Sequence, residues 1–360
     1  MMILTTIWER YFLRELIKIF CLFLFCFYGI YVLVDYANHS HSFQNYRLAS
    51  LDIVVFYAYE FITRMDVLVP FAVLIASIKT LCMLNTDNEL VALMAGGIKL
   101  RRILLPFIAF GLFFTGILYI NTEFLHPKII KYRQFYDQSR TEAKQKKHKQ
   151  IFVQQLPLED GSSIIFQSYN GNSESFRDAY WVRSINDIYR IDSLSLRTPV
   201  PIGTHVEHLQ RNDKGELILV EFFSEHPFSD MHLNKKTLVD TVTTPSSQSI
   251  SVLKEKLPSH GEILSEKEAQ LITTFYYKLA IPWVCLLAII APAPFCIRFS
   301  RTLPVFFIYA LSIFGLFFFY LVMDSATILA ERQALSPALA IWVPFCCFFG
   351  FFGYRFMRST

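Results

Sequence analysis

The run TLPVFFIYALSIFGLFFFYLVM, residues 302–323, decides the fold class of this chain. None of its 22 residues is Asp, Glu, Lys, Arg or His. A helix rises about 1.5 Å per residue, so about 20 apolar residues are needed to cross a bilayer core about 30 Å thick. The run therefore predicts a transmembrane helix.

The composition of the whole chain agrees with that prediction. Of its 360 residues, 53% are apolar and 18% are charged, and the mean hydropathy is +0.37. Soluble domains are about 45–50% apolar and about 25% charged. These values exclude a disordered chain, a collagen-like fibre and a nucleic-acid-binding domain. The net charge of +4 is too small to indicate a polyanionic partner.

Further apolar runs predict five more spans. Only one of them is interrupted by a charge, Lys79, whose stem can reach the headgroups from near the end of its helix. The five runs cover residues 19–34, 67–84, 103–122, 279–297 and 333–354. We therefore expect an α-helical membrane protein with six transmembrane helices.

Basic residues predict the orientation, because cytoplasmic loops carry an excess of Lys and Arg. With the N-terminus inside, the cytoplasmic flanks hold ten basic residues: Arg10, Arg14, Lys18, Lys99, Arg101, Arg102, Arg298, Arg301, Arg355 and Arg358. The two short outer loops, about 37–52 and 324–336, hold only Arg47 and Arg332. We therefore expect both termini in the cytoplasm, with the first span retained as an anchor.

The polar segment 124–268 is predicted to form an external domain between spans 1–123 and 269–360. It begins with a basic helical stretch, 127–150, and ends with a return linker, 245–265. Between them lie β-type runs separated by Gly, Asn and Asp turn residues, at 151–156, 163–169, 179–185, 188–196, 203–210, 216–223 and, more weakly, 236–243. Many short strands indicate an all-β sandwich, jelly roll or half-open barrel.

The predicted spans contain few residues that could couple transport to a proton or sodium gradient. Ion-coupled carriers usually place carboxylates, histidines or broken helices near the membrane midplane. Five of the predicted spans have no ionisable residue between their flanks, and Asp35, Asp66 and Asp324 lie at helix ends. A secondary carrier is therefore disfavoured but stays an alternative.

Motifs for catalysis are also missing. Residues 95–99, AGGIK, lack the spacing and the preceding strand of a phosphate-binding loop. His205 and His208 lie on a predicted strand without a zinc-enzyme spacing, and the seven cysteines lie in or beside apolar runs without a metal-site pattern. We expect a chain that is not an enzyme and binds no cofactor, so that any ATP is hydrolysed by a partner subunit.

The loop between the second and third spans contains an amphipathic segment, 87–97, which we call the elbow. Thr86 or Asp87 is predicted to cap a short helix there, and Gly96-Gly97 to end it. Leu90, Leu93 and Met94 recur at helical spacing and form one apolar stripe. The elbow is either an interfacial helix resting on lipid or a lever that docks into a cytoplasmic motor.

Several short motifs together resemble one known family. Residues 88–97, followed by Lys99-Leu100-Arg101-Arg102-Ile103 and Pro106, resemble the coupling-helix region of the lipopolysaccharide-export permeases, the LptF/LptG family. The other matching motifs are Trp8-Glu9-Arg10-Tyr11, Leu33-Val34-Asp35, Asn121-Thr122-Glu123 with Pro127, and Tyr180-Trp181-Val182-Arg183. Their order around one β domain favours the LptG-type member over its paralogue.

The resemblance implies a subunit of an ABC transporter in the inner membrane of a Gram-negative bacterium. Such a permease pairs with its paralogue, holds lipopolysaccharide between the two, and is driven by a cytoplasmic ATPase dimer. Its jelly-roll-like periplasmic domain passes the lipid to periplasmic jelly-roll bridge proteins by strand addition. A non-transporting membrane anchor that binds a partner remains the other alternative.

The same resemblance implies which residues form the sites. Glu89 would be the coupling-helix glutamate, and the contact with the ATPase would comprise Asp87, Glu89, Leu90, Leu93, Met94, Gly96 and Gly97. Related permeases carry a lysine near the outer end of the first span, where Val32 stands here. We therefore expect Lys128, Lys131 and Arg133 to meet the lipid phosphates, unless they form an ordinary solvated helix face.

Overall fold

The computed structural model describes residues 6–45, 50–129, 154–158, 161–170, 175–196, 200–212, 216–231, 245–257, 266–297 and 305–359. The chain divides into two compact units. The helical unit comprises residues 1–130 and 245–360, and the β unit comprises residues 131–244. The predicted basic helix is described only as far as residue 129, so most of it lies outside the described residues, as does the predicted weak strand at 236–243.

The helices described in the first half of the helical unit include α1 (Ile7–Asn45), α2 (Ser50–Thr63), α3 (Met65–Thr86), α4 (Glu89–Ala95) and α5 (Leu100–Ile120). A π-helical turn, Asn121–Leu125, continues α5. The second half contains α6 (Ile250–Glu255), α7 (Glu266–Ala280), α8 (Val284–Ile290), α9 (Ala293–Ile297), α10 (Val305–Glu331) and α11 (Pro337–Ser359).

The described residues contain six helical segments long and apolar enough to cross a membrane, which confirms the predicted number. They are Ile7–Ser40, Met65–Thr86, Leu100–Ile129, Glu266–Ile297, Val305–Glu331 and Pro337–Arg358. The fourth is assembled from α7, α8 and α9 around a 3₁₀ turn, Ile281–Trp283. Pro282 lies in that turn and has no N–H to donate, which explains the interruption of regular α-helix.

The second and fourth spans are the most buried and form the centre of the helical unit, whereas the first, fifth and sixth are mostly exposed. Gly111 brings α5 against α8, because a Cβ there would lie 2.8 Å from Ile289 Cδ1. Small residues at helix interfaces allow such close approach in membranes. In contrast, α10 exposes Phe306, Phe314 and Phe317, as expected of a helix that contacts lipid or another subunit.

Two helical features differ from the prediction. Helix α1 continues to Asn45, well past residue 34, and α2 occupies part of what was predicted to be an outer loop. Helix α2 carries Asp52 and Glu60 and has only 14 residues, whereas about 20 are needed to cross a bilayer core, so it is too short to be a span. Glu60 is nevertheless buried, because Arg64 Nε (2.8 Å) and the Tyr31 hydroxyl (3.0 Å) both donate to its Oε1.

The β unit is an antiparallel sheet whose six described strands follow one another in chain order. They are β1 (Gln154–Pro157), β2 (Ser163–Asn170), β3 (Ser175–Ser184), β4 (Asp187–Ser195), β5 (Ile202–Arg211) and β6 (Leu217–Pro227). This confirms the inserted all-β domain, and a sequential meander is compatible with a jelly-roll-like or half-open sheet. Strand β3 begins earlier than predicted because Phe176 pairs with Leu194 of β4 and is fully buried.

One face of the sheet carries the core of the β unit. Trp181 of β3 is buried and pairs with Ile164 of β2 and Tyr189 of β4. Its indole Nε1 donates to Ser162 Oγ over 3.0 Å, which satisfies the polar atom of this buried ring. Gly203 allows β5 to approach Phe228, whose Cε2 would lie 2.8 Å from a Cβ at that position.

Part of the stretch predicted as a linker packs against the helical unit. Residues 245–257, which we call the return segment, contain a 3₁₀ turn, Pro245–Ser247, and helix α6. Leu253 of α6 is fully buried. The return segment is therefore part of the helical unit, while residues 258–265 lie outside the described residues.

Candidate functional site

The elbow forms a short helix, α4, with a defined end. Gly97 adopts a left-handed conformation with φ +82°. The Ile98 N–H donates to the Leu93 carbonyl over 3.1 Å, and the Gly97 N–H donates to the Met94 carbonyl over 3.0 Å. These two bonds constitute a Schellman motif, which satisfies carbonyls at the helix end. The predicted termination at Gly96-Gly97 is therefore confirmed.

The predicted cap at the start of the elbow helix is wrong. Helix α3 runs through Thr86, whose hydroxyl donates to the Cys82 carbonyl over 2.8 Å, and Asp87 follows as its C-terminal cap. The residue that precedes α4 is Asn88, with φ 58° and no side-chain capping bond. Asn tolerates this left-handed conformation, so a sharp turn between α3 and α4 replaces the expected loop.

The apolar stripe of the elbow divides between the core and the surface. Leu90 is only 1% exposed, and the partly buried Leu93 also packs against the core. On the other side, Val91 is 52% exposed and Met94 40% exposed. The helix is thus anchored by two leucines and presents a small apolar surface outward, with Asp87, Gly96 and Gly97 also exposed.

Glu89 lies at the margin of this surface. Its Oε1 accepts a hydrogen bond of 3.3 Å from the hydroxyl of Tyr11, near the start of α1. The preceding helix is also fixed, since Asn85 Nδ2 donates to the Cys296 carbonyl at the end of the fourth span over 3.1 Å. The elbow therefore contacts the first span and is joined through α3 to the fourth.

The three cations expected to meet lipid phosphates are only partly placed. Lys128 is exposed on the helical continuation of the third span. Lys131 and Arg133 lie outside the described residues.

Two apolar cavities open among the spans. One, of about 260 Å³, lies among α3, α8, α10 and α11 and is lined by residues that include Phe319, Phe348 and Phe352. The other, of about 530 Å³, lies between α1 and α5 and is lined by residues that include Phe20 and Phe113. Some aromatic residues of the fifth and sixth spans thus line a cavity, while others face outward.

Sequence reasoning missed a set of polar contacts at the end of the third span and in the first helix of the fourth span, the two spans that border the β unit in the chain. Lys278 of α7 is 8% exposed and donates from Nζ to two carbonyls of the return segment. Glu123 of the π-helical turn accepts from a backbone N–H of the same segment. The predicted runs ended at residue 122 and began at 279, so both residues were treated as flanks. The signal that could have found them was the apolar sequence continuing on both sides of each charge.

Asp35 and Asp324 were predicted to lie at helix ends, but α1 and α10 extend beyond them, and both residues accept hydrogen bonds from other helices. Asp324 Oδ1 accepts from the Tyr277 hydroxyl over 3.4 Å, and Asp35 Oδ2 accepts from the Tyr57 hydroxyl over 3.0 Å. In the β unit, His208 Nε2 lies 2.6 Å from Asp187 Oδ1 and its ring stacks on Tyr189, while His205 is exposed. The two histidines therefore have different surroundings, as expected for positions on opposite faces of a strand.

The fold and the elbow together define a class: a multi-pass membrane protein whose β unit is inserted between two sets of three spans. The family model described as lipopolysaccharide export system permease LptF/LptG matches residues 10–358. The chain therefore belongs to the LptF/LptG permease family, and the predicted family is confirmed. The match covers both paralogues, so the LptG-type identity stays a prediction. Among curated proteins, no relative matches the chain.

Proposed function

We propose that this chain is one permease subunit of an ABC-type exporter that extracts lipopolysaccharide from the inner membrane. Family membership supports the cargo and the export role. The observation that carries the rest of the proposal is the elbow, in which a helix anchored by Leu90 presents Val91 and Met94 outward beside Glu89. An exposed apolar surface with a charge at its margin suits docking into a groove of a partner protein.

The partner at the elbow is a cytoplasmic ATPase dimer, which hydrolyses ATP while this chain binds no cofactor of its own. A lever has to transmit force without unfolding. The Schellman motif at Gly97 and the buried Leu90 give α4 that rigidity, and the bond from Asn85 to Cys296 joins α3 to the fourth span. Closure of the ATPase would therefore move the second and fourth spans together.

The cargo is held between this subunit and its paralogue. Each methylene that leaves water contributes about 0.8 kcal/mol, so a lipid with several acyl chains needs an apolar cavity more than an array of charges. The cavities lined by Phe20 and Phe319 and the exposed apolar face of α10 supply such surfaces. Lys128, Lys131 and Arg133 would meet the phosphates of the headgroup.

The β unit passes the lipid to a periplasmic bridge that leads to the outer membrane. Strand β6 is the last described strand of the sheet, and its Leu219 and Phe222 are exposed. An exposed apolar strand at the edge of a sheet can pair with a strand of another protein. In this proposal the β unit lies in the periplasm and both termini lie in the cytoplasm of a Gram-negative cell.

Replacing Glu89 tests the coupling role of the elbow. In vesicles that contain the two permeases and the ATPase, Glu89→Arg should abolish ATP-dependent lipid release while membrane insertion stays intact, because the reversed charge repels the partner's contact. Tyr11→Phe is the matched control, since it removes only the hydrogen bond to Glu89 and should leave release within about twofold. Unchanged release by Glu89→Arg contradicts the lever.

The two alternatives predict different results in the same vesicles. A secondary carrier moves lipid when a proton or sodium gradient is imposed without ATP, whereas the proposed exporter stays silent. A membrane anchor purifies without an ATPase. Mass spectrometry of the detergent-extracted complex should instead detect the ATPase, the paralogous permease and bound lipopolysaccharide.

A further inference from the structure

The return segment is held on the helical unit by a buried ammonium group. Lys278 Nζ donates to the Ser246 carbonyl over 2.7 Å and to the Gln248 carbonyl over 2.6 Å. The side chain is 8% exposed, and burying a charge is costly unless hydrogen bonds replace its hydration. Both bonds are charge-assisted, so they stabilise this one backbone conformation of the return segment.

A carboxylate holds the same segment from the third span. Glu123 Oε2 accepts from the Ser251 N–H, in the first turn of α6, over 3.2 Å. The Ser249 hydroxyl oxygen accepts from the Val252 N–H over 3.4 Å at the same helix end. A negative charge is favourable there because the first backbone N–H groups of a helix lack intrahelical partners.

The segment held in this way is itself well packed. Leu253 is fully buried, and Lys256 Nζ donates to Gln248 Oε1 over 3.0 Å. Glu123 attracts Lys278 electrostatically, but among the described residues no ion pair within 4.0 Å joins the two side chains. Each charge instead bonds the backbone of the return segment, and we call this arrangement the clamp.

The clamp lies where the chain leaves and re-enters the helical unit. Glu123 precedes Ile130, the last residue before the β unit, and the return segment begins at Pro245, the first residue after it. The end of the third span and the return segment, which border the β unit in the chain, are thus bonded to each other, and the return segment is also bonded to the fourth span. Lys278 is the buried member of the clamp, and buried ionisable residues in membrane helices are costly and tend to mark functional positions.

We propose that Lys278 and Glu123 are positioning residues that pass movement of the third and fourth spans to the β unit during lipid transfer. The inference rests on the proposed exporter function, and it assigns to two residues outside the elbow a role downstream of ATP hydrolysis. Removing the clamp should therefore separate hydrolysis from delivery.

The test uses the complete complex with its ATPase and paralogous permease in vesicles, and a bridge protein as acceptor of lipopolysaccharide. In Lys278→Met, delivery to the acceptor should fall at least about tenfold, because two charged hydrogen bonds are lost, while the ATPase rate stays within about twofold. Lys278→Arg keeps the donors and should restore delivery. Lys267→Met, at an exposed lysine of the same helix, is the matched control.

A charge exchange separates the clamp from an ordinary ion pair. The double variant Lys278→Glu with Glu123→Lys keeps one charge of each sign at the two positions, but a carboxylate cannot donate to the carbonyls of Ser246 and Gln248. Delivery should therefore remain lost. Recovery of delivery in the double variant, or normal delivery in Lys278→Met, overturns the proposal.

Limited trypsin cleavage gives a readout that does not depend on transport. Loss of the clamp should increase cleavage at Lys254 and Lys256 about tenfold in the intact complex, since the segment opens locally. Glu123→Gln keeps an acceptor oxygen but removes the charge, so it should show a smaller increase in cleavage. It is the replacement variant if Lys278→Met does not fold. Unchanged cleavage in both variants refutes the clamp. Absence of ATP-dependent delivery in the unaltered complex would instead refute the proposed function.

Discussion

Gly97 shows how a single residue determines the shape of the elbow. Its φ of +82° places it in a region that residues with a Cβ adopt at a cost of about 1 kcal/mol or more. The Schellman bonds from Gly97 and Ile98 depend on that conformation. The pair Gly96-Gly97 was sufficient to predict the helix end, because few other residues take this conformation routinely.

Replacing Gly97 by Val should destabilise the elbow by about 1–2 kcal/mol and reduce ATP-dependent lipid release, since the branched side chain is strained at positive φ. Gly97→Asn is the matched control, because Asn tolerates the left-handed region, and it should retain most release. The measurements are thermal unfolding in detergent and release from vesicles. Equal losses in the two variants would show that backbone conformation at residue 97 is not what matters.

The charged residues Lys278 and Glu60 were harder to interpret from sequence. Each lies in an apolar stretch, and a charge there is ordinarily a sign that a span has ended. Lys278 is accommodated by carbonyls some 30 residues earlier in the chain, and Glu60 by Tyr31 and Arg64. Arg64 follows Glu60 at helical i,i+4 spacing, which the sequence shows. The Tyr31 hydroxyl and the two carbonyls become neighbours of these charges only through tertiary packing, so the local pattern could not identify them.

At the scale of elements, helix packing in the bundle depends on a few small residues. Gly111 and Gly116 both lie in α5, yet only Gly111 faces another helix. A Cβ at residue 111 would approach Ile289 Cδ1 to 2.8 Å and the Cys285 carbonyl oxygen to 3.4 Å. At residue 116, among the described residues, no atom outside the adjacent backbone of α5 lies within 4 Å of such a Cβ. The two glycines therefore form a matched pair that separates packing from helix propensity.

Gly111→Ala should lower the free energy of unfolding by about 1–3 kcal/mol relative to Gly116→Ala, because the added methyl overpacks the contact with α8. Both changes carry the same gain in helix propensity, so their difference reports packing alone. Unfolding in mixed detergent micelles measures it. Equal stabilities would show that α5 and α8 are not in close contact.

The strands illustrate what alternation of apolar residues predicts at this scale. For β4, the sequence predicted residues 188–196 and the structure has Asp187–Ser195. The agreement is close because turn residues flank this strand on both sides. The start of β3 was missed because polar Ser175, Arg177 and Asp178 conceal it, although Phe176 is buried between neighbouring strands. Helix α2 was not predicted, because Asp52 and Glu60 interrupt its apolar sequence.

At the scale of the whole molecule, orientation in the membrane follows from charge. The ten-to-two distribution of basic residues in short loops predicts that the elbow and the β unit lie on opposite sides. The proposed function requires the same arrangement, because the ATPase works in the cytoplasm and the lipid acceptor in the periplasm.

Labelling of single cysteines in a variant without the native ones should confirm that arrangement. In spheroplasts, an impermeant maleimide should react with Ser229→Cys of the β unit, which is exposed. Lys99→Cys, next to the elbow and also exposed, should react only after the membrane is permeabilised. The opposite pattern would reverse the orientation and exclude the proposed contact with a cytoplasmic ATPase.

By itself the sequence determined the number of spans, the inserted β unit, the end of the elbow helix and the family resemblance. Each of these follows from local composition, periodicity or turn chemistry, which act over a few helical turns or a few strands. Tertiary structure decided which elbow residues are buried, which aromatic residues line a cavity, and that Lys278 and Glu123 hold the return segment. Those properties depend on contacts between residues distant in the chain, and the energy of a buried charge is set by its partners rather than by its neighbours in sequence.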